Sequence, residues 1–240
     1  MSFRALLLWR SFSVLFLLGL LTAPAAFGQL KDAKGNLISP VAFANQDAIT
    51  TTFVTSPNLS GMSAVATSGN ATSSDTPPDP SDVTNQWLKV EFHYGTTAAL
   101  KTKYLDSVEF KVWIEGRDLL ATNAPVPGKG VAVALTGSVT YINVPAGSDI
   151  YGVFYVHPST LGRYSGEHGV TDFDRKFDIH MEAYVGGTLM DKIDKNKEQD
   201  PNWFQPLVPI TGLVYRQDQS PFIIVDPDRY PAIKLPTTAQ

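Results

Sequence analysis

Hydrophobic and polar residues alternate with a two-residue period in several segments after residue 85. In "YLDSVEFKVWIEGRD" (residues 104–118), one phase carries Val108, Phe110, Val112 and Ile114, and the other carries mainly charged residues. Because successive side chains of a strand point to opposite faces of a sheet, this pattern predicts a strand with one buried face and one solvent face. "WLKVEFHYG" and "FDIHMEAYVGG" alternate in the same way.

Further short apolar segments follow along the chain and indicate an all-β fold. "VAVALTG", "SVTYINV" and "PFIIVDPDRYP" are strand candidates, and "IYGVFYVHP" is apolar in both phases, as is typical of a strand covered on both faces. Gly- and Pro-rich turn signals separate these segments, and no long helical period is present. The sequence therefore predicts an Ig-like antiparallel β-sandwich of about seven strands, with a β-barrel as the main competitor.

Two tryptophans occupy the polar phases of their strands, Trp87 in "WLKVEFHYG" and Trp113 in "FKVWIE". If these strands form an antiparallel pair, the two indoles lie opposite each other, and Tyr184 could extend the apolar strip. Three explanations stay open: cover by the protein's own N-terminal segment or a long loop, docking of a partner protein, or stacking on sugar rings. Trp87, Trp113 and Tyr184 are the candidate partner or glycan contacts. The strip fails if the strands belong to different sheets.

The first thirty residues have the pattern of a secretory signal peptide. Arg4 and Arg10 precede the apolar run "SFSVLFLLGLLTAPAAFG", which ends in small residues. We expect a signal peptide over residues 1–28, cleaved after Ala25 or Gly28, with an uncleaved membrane anchor as the alternative. The chain has no cysteine, so no disulfide stabilises it. This indicates a bacterial protein exported to the periplasm, the outer membrane or the exterior, without a transmembrane segment in the mature chain.

Composition changes near residue 84 and suggests how the chain is divided. Residues 29–83 are poor in aromatic residues and contain "TSGNATSSDTPPDPSD", which has the composition of a linker. We predict an extended or partly disordered segment there, with one potential strand in "AITTTFV". Residues 84–235 are predicted to form the β-sandwich domain, and residues 236–240 a tail.

The chain shows no motif for catalysis, cofactor binding or metal binding. Its net charge of −4 gives no electrostatic case for nucleic acid. Asp178, His180 and Glu182 would share one strand face and could hold a divalent ion with His168, but a solvated outer face is the favoured interpretation. "DKNKEQD" resembles the start of a calcium loop but lacks the required glycine. We expect no enzymatic activity, no cofactor and no metal.

Three segments resemble a group of secreted proteins. "WLKVEFHYG", "YLDSVEFKVWIEGRDLL" and "GVFYVHPSTLGRY", in an exported chain without cysteine, are similar to verrucomicrobial-type Ig-like secreted proteins encoded beside a secretin and type IV pilus-like assembly genes. The resemblance covers roughly residues 86–191. It implies an Ig-like sandwich and a structural or accessory role in an envelope or pilus-like apparatus, without catalysis. No site residues are implied.

The sequence therefore supports two functions of different classes. The first is a non-catalytic exported protein that contacts an envelope, pilus or secretin-type partner through a sheet face or edge. The alternative is a carbohydrate-binding or adhesion module that uses exposed aromatic residues.

Overall fold

The computed structural model describes residues 39–45, 47–57, 86–97, 103–118, 120–121, 130–164, 177–197, 200 and 202–235. The predicted signal peptide and His168 lie outside these residues. The described part forms ten strands and one α-helix, α1 (Pro158–Tyr164). The strands are β1 (Val41–Phe43), β2 (Ile49–Thr55), β3 (Gln86–Thr96), β4 (Tyr104–Asp118), β5 (Val131–Pro145), β6 (Gly147–Val156), β7 (Ile179–Val185), β8 (Thr188–Lys195), β9 (Val208–Thr211) and β10 (Val214–Arg216).

The strands form two stacked five-stranded sheets, which confirms the predicted β-sandwich. The first sheet has the order β1–β3–β6–β10, and β2 also pairs with β3. The second sheet has the order β8–β7–β4–β5–β9. All pairs are antiparallel except β5 and β9, which run parallel. Among the described residues, no helix has the length and hydropathy needed to cross a membrane.

The predicted inner phases of β3 and β4 form the centre of the core. Their inward aliphatic and aromatic side chains are completely buried. The ring of Phe110 in the second sheet lies 4.6 Å from the rings of both Phe92 and Tyr94 in the first sheet. Between the sheets, the hydroxyl of Tyr141 accepts a hydrogen bond from the backbone N–H of Val153 at 3.0 Å. Alternation in the sequence therefore identified the residues that join the two layers.

A glycine in β6 makes room for the ring of Phe92. Gly152 lies directly opposite Phe92 in the antiparallel register of β3 and β6. A Cβ atom at position 152 would lie only 2.1 Å from a ring carbon of Phe92. The tip of the phenyl ring therefore occupies the space that a side chain at position 152 would need, and no other residue type fits there without displacement.

The expectation that Trp87 and Trp113 oppose each other is wrong. Trp87 belongs to β3 in the first sheet and Trp113 to β4 in the second. Each strand has one fully apolar face, and stacking buries these two faces against each other, whereas side-by-side pairing would leave one side of the pair without cover. The two indoles consequently lie on opposite outer surfaces of the sandwich, and the proposed common strip does not exist.

Several element boundaries differ from the prediction. "VAVALTG" and "SVTYINV" belong to one strand, β5, which continues through Gly137. At this glycine the chain that leaves β9 crosses towards the first sheet, and a Cβ would lie 2.9 Å from the side chain of Val214. Helix α1 was not predicted. It begins at Pro158, where the missing N–H costs nothing, and buries Leu161 and Tyr164.

Two strands of the first sheet precede residue 84. The strand predicted in "AITTTFV" is β2, which pairs with β3 along its whole length. The shorter β1 pairs with the other end of β3. The first sheet therefore includes residues from the segment that composition had separated from the sandwich.

The segment "PFIIVDPDRYP" was predicted to be a strand, but residues 221–230 form consecutive turns. This C-terminal segment crosses the outer face of the first sheet, where Phe222 stacks on Tyr155 with ring centroids 4.6 Å apart. Residues 232–234 then hydrogen-bond to the edge of β5 through Ile142 N–H and Thr140 C=O, both at 2.8 Å. Prolines at both ends of the apolar run prevent regular pairing, because proline has no N–H to donate.

Candidate functional site

The solvent face of the second sheet carries Trp113. In the register of β4 and β7, Trp113 lies opposite His180, and Tyr184 lies opposite Glu109, four residue pairs away. The indole of Trp113 packs against the ring of Phe204 at 4.9 Å and against His180 at 5.4 Å. A loop of the protein's own chain, residues 202–207, therefore covers part of this face, and Trp113 is only partly exposed.

His180 is completely buried beneath this loop, although it lies on the polar phase of β7. Its Nδ1 is 2.8 Å from Oδ1 of Asp194, and because a carboxylate only accepts, Nδ1 donates. The indole N–H of Trp203 donates to the same oxygen at 2.9 Å. Phe204 stacks on the imidazole with centroids 3.9 Å apart. These contacts fix the loop on the sheet and explain why a polar-phase histidine has no exposure.

The same histidine does not form a metal site in the described residues. Its Nε2 lies 3.4 Å from Oε1 of Glu182 and has no hydrogen-bond partner there. Asp178 lies just before β7 and bonds to Lys197 instead. Within the described ranges, no group of three or more His, Asp or Glu side chains is arranged to hold an ion. His168 lies outside these residues.

A second charged cluster fixes the start of the covering loop. The ammonium of Lys197 contacts Glu115 at 2.5 Å and Asp178 at 2.6 Å, and it lies 4.8 Å from the ring centre of Trp203. Burial, together with the neighbouring Glu115, raises the pKa of Asp178 to about 6, although Lys197 acts in the opposite direction. Burial also acts to raise the pKa of Glu115, but the hydrogen bonds with Lys197 and Asp178 and the positive charges of Lys197 and Arg117 together outweigh it and lower that pKa.

Tyr184 is partly buried on the same sheet face. The ammonium of Lys111 lies 4.3 Å from the centre of its ring, and the phenol donates a hydrogen bond to Glu182. Burial and this bond raise the pKa of Tyr184 to about 12, so the phenol is neutral at physiological pH. Tyr184 contributes to the outer face, but it does not lie next to Trp113.

Trp87 lies on the outer face of the first sheet and is 8% exposed. It is enclosed by the ring of His157 at 4.7 Å and by the rings of Tyr215 and Phe222, both at 5.8 Å. The cover comes from the end of β6, from β10 and from Phe222 in the C-terminal segment, whereas the sequence suggested the N-terminal segment or a long loop. An indole enclosed in this way contributes to the packing of the fold and has little surface to offer a ligand.

An ionic cluster holds the C-terminal segment against the first sheet. The carboxylate of Glu91 in β3 accepts hydrogen bonds from Arg229 at 2.7 and 3.1 Å and from the hydroxyl of Tyr230 at 2.6 Å. Lys89 adds an ion pair at 3.1 Å. Burial alone would raise the pKa of Glu91, but these bonds outweigh it and lower the pKa. The carboxylate is therefore charged in the folded protein at neutral pH.

Between Phe222 and the cluster around Glu91, the C-terminal segment presents three consecutive aliphatic side chains to solvent. Ile223, Ile224 and Val225 are 54%, 59% and 37% exposed. The buried Phe222 and the side chain of Gln217, which donates to the carbonyl of Val225 at 2.9 Å, hold the turn in place. We call Ile223–Val225 the aliphatic surface. Contiguous exposed aliphatic residues on a fixed turn are typical of a protein contact.

A groove lies beside Trp113 on the second sheet and has a volume of about 530 Å³. Its floor consists of Lys111 and Trp113 on β4 and of Thr136 and Ser138 on β5. The chain from β9 to the turn after β10 forms the wall and contributes Arg216 and Gln219, among other residues. The volume falls within the usual range of ligand pockets, about 300–1,000 Å³. Trp113 is thus a sequence candidate that the structure places in a concave site.

Edge strands offer less surface for a partner strand than the sequence indicated. β8 forms one edge of the second sheet and carries alternating acidic and basic residues in "DKIDK". Charged side chains on an edge disfavour strand addition. The opposite edge, β9, is four residues long. For the second sheet, the exposed faces and turns are therefore better contact candidates than the edges.

Comparison with known proteins places this β-sandwich in a family. A family model matches residues 72–237, well over half of the chain, and the chain belongs to that family. Among solved structures, it is similar to a crystal structure from Akkermansia muciniphila, a verrucomicrobial species, with a TM-score of 0.58 and 19% identity. The match covers 82% of this chain and 93% of the other, and at this identity it shows the fold alone. No curated protein matches the sequence.

Proposed function

We propose that this protein is an exported, non-catalytic component of a cell-envelope or pilus-like assembly and that it binds another assembly subunit through the aliphatic surface. The observation that carries the proposal is the exposure of Ile223, Ile224 and Val225 on a turn with fixed geometry. Membership of the family supports the pilus-related part. The signal-peptide pattern at residues 1–28 supports export.

The energetics favour this surface over the buried tryptophans. Burying the part of each side chain that is still exposed, 37–59%, contributes about 0.5–2 kcal/mol, because apolar area leaves water. The turn is already held by Phe222 and Gln217, so little conformational entropy is lost on binding. Three adjacent side chains of this kind can form the apolar centre of an interface, with Asp226, Asp228 and Arg229 at its rim.

Site-specific cross-linking can test the proposal, because the chain contains no cysteine. A single Ile224→Cys variant, produced in the native organism and labelled with a maleimide photo-cross-linker, is expected to trap one defined envelope or pilus protein or a second copy of this chain. Leu189→Cys on β8 is the matched control. Leu189 is also exposed, at 46%, but it belongs to the second sheet and not to the aliphatic surface. Mass spectrometry identifies the adducts.

The result that would contradict the proposal is equally specific. Ile224→Cys and Leu189→Cys would then give the same adducts, or neither would give any. An Ile224→Glu variant adds a test without a label: it should keep its melting temperature, because the side chain is exposed, and lose the partner in a pulldown. Retention of the partner by Ile224→Glu would exclude the aliphatic surface as the contact.

A further inference from the structure

The surroundings of His180 point to a device in the second sheet that responds to acid. We propose that the covering loop, residues 202–207, is a strap controlled by a proton. A second proton on the imidazole of His180, at Nε2, tightens the loop over Trp113, and loss of that proton loosens it. The loop shares no residue with the aliphatic surface, so this inference does not depend on the proposed assembly contact.

One ring nitrogen of His180 faces an acceptor instead of a donor. The residue is completely buried, and Nδ1–H donates to Asp194, so the neutral imidazole carries a bare lone pair on Nε2. This lone pair lies 3.4 Å from Oε1 of Glu182, and among the described residues Nε2 has no hydrogen-bond partner. In the neutral imidazole, two acceptor atoms therefore face each other, and the buried one is left without a bond.

A proton on Nε2 turns this contact into a hydrogen bond. The nitrogen becomes a donor that points at Oε1 of Glu182, and a bond between a cationic ring and a carboxylate is stronger than a neutral one. The phenol of Tyr184 donates to the other oxygen, Oε2, which leaves Oε1 on the side of His180. The protonated ring is then held between two carboxylates, Asp194 at 2.8 Å and Glu182 at 3.4 Å.

The same imidazole supports the covering loop. Phe204 stacks on it with the ring planes 16° apart, and a cationic ring is attracted to the face of an aromatic one. The indole N–H of Trp203 donates to the oxygen of Asp194 that Nδ1 also contacts. An imidazole held at both nitrogens is a rigid support for these two loop residues, whereas one held at Nδ1 alone is not. An opened loop uncovers the indole of Trp113, on which Phe204 also packs.

Two lysines on the neighbouring strands also face this part of the sheet. Lys111 on β4 lies opposite Glu182, and its ammonium rests over the ring of Tyr184. Lys192 on β8 also lies opposite Glu182 and is exposed. Both lysines attract this carboxylate whatever the state of the imidazole, so they do not account for a dependence on pH.

A further titrating group lies close to the loop and must be separated from His180. The ammonium of Lys197 lies 4.8 Å from the ring centre of Trp203 and is paired with Asp178. Burial raises the pKa of Asp178 to about 6, so its charge also changes in mild acid. A variant in which this side chain cannot titrate is therefore part of the test.

The experiment follows the indole N–H of Trp203 in the mature protein by hydrogen exchange and NMR at about pH 6 and about pH 8, the range in which an imidazole ordinarily changes its charge. After correction for the intrinsic exchange rate, we expect protection of this N–H to be at least fivefold greater at the lower pH. Long-range proton–nitrogen spectra of the imidazole should show His180 protonated on both nitrogens at the lower pH and on Nδ1 alone at the higher pH.

Glu182→Gln separates this device from simple packing. The new amide can donate to the bare Nε2 while its carbonyl still accepts from Tyr184, so the neutral imidazole gains the missing bond. Protection of the Trp203 N–H at the higher pH should rise to the level that the parent shows at the lower pH, and the difference between the two should fall below twofold. Glu109→Gln is the matched control, because Glu109 is a carboxylate on the same sheet face.

Glu109→Gln and Asp178→Asn should both keep the parent's dependence on pH. The proposal is overturned if the imidazole keeps the same protonation at both pH values, or if protection of the Trp203 N–H is equal at both. It is also overturned if Glu182→Gln keeps the full dependence, or if Asp178→Asn removes it, since the proton would then act at Asp178. The measurements on the parent protein test the proposal even if a variant does not fold.

Discussion

Replacement of Gly152 by alanine is the sharpest test of how the two sheets pack. The new Cβ would lie 2.1 Å from a ring carbon of Phe92, whereas carbon atoms in contact are normally about 3.5–4.0 Å apart. The ring or the strand must therefore move by roughly 1.4 Å or more. Phe92 cannot yield easily, since its ring lies 4.6 Å from Phe110 and 5.8 Å from Phe154.

Overpacking a core of this density usually costs about 1–3 kcal/mol, and we expect Gly152→Ala to reach the upper end, about 3 kcal/mol of unfolding free energy. Urea unfolding followed by circular dichroism measures this value at constant m. Gly147→Ala in the same strand is the control, because a Cβ there meets nothing within 4 Å. Its effect should stay within about 0.5 kcal/mol.

A double-mutant cycle shows whether the cost comes from this contact. Phe92→Leu creates space next to position 152, so Gly152→Ala should be less costly in that background, with a coupling energy of about 2 kcal/mol. The packing argument fails if Gly152→Ala changes stability by less than about 0.5 kcal/mol, or if the two substitutions are strictly additive.

Further predictions concern the charged and aromatic anchors. Glu91→Gln should lower stability by about 2 kcal/mol at pH 7. Because the pKa of Glu91 is lowered on folding, this difference should shrink as acid protonates the parent, and an unchanged difference at pH 3 would contradict the assignment. Because the pKa of Asp178 is raised on folding, the parent loses stability as pH rises from about 4 to about 6. Asp178→Asn should therefore gain stability relative to the parent over that window, by at most about 3 kcal/mol. Urea unfolding of both proteins at pH 4 and pH 7 measures the gain, and the same difference between them at both pH values would exclude the shift. Phe204→Ala should expose His180 and speed carbethoxylation of its imidazole at least tenfold, which mass spectrometry can follow; an unchanged rate would show that Phe204 is not the cover.

Alternation in the sequence was sufficient for the inner residues of β3, β4 and β7, because a two-residue period depends only on local geometry. It was not sufficient for His180, which shares the phase of charged residues and is buried by Phe204, a contact formed in three dimensions. Whether β3 pairs with β4 or belongs to a different, stacked sheet was also beyond the pattern, since the two arrangements bury the same alternate positions.

The candidate residues show the same limit. All three were selected because aromatic side chains occurred on outer faces, and the structure places Trp87, Trp113 and Tyr184 on such faces. Which of them remains accessible depends on segments far along the chain, namely the loop at residues 202–207 and the C-terminal turns. The aliphatic surface was missed because an apolar run resembles a strand until its prolines are weighed, and "PFIIVDPDRYP" contains three.

The C-terminal segment has a consequence for the order in which the domain can be completed. Residues 217–234 supply the outer cover of Tyr155 and Trp87 and the last backbone bonds to β5. A nascent chain that has been synthesised only as far as β9 still has these aromatic side chains in water. Closure of this face of the first sheet must therefore wait until synthesis has passed β10.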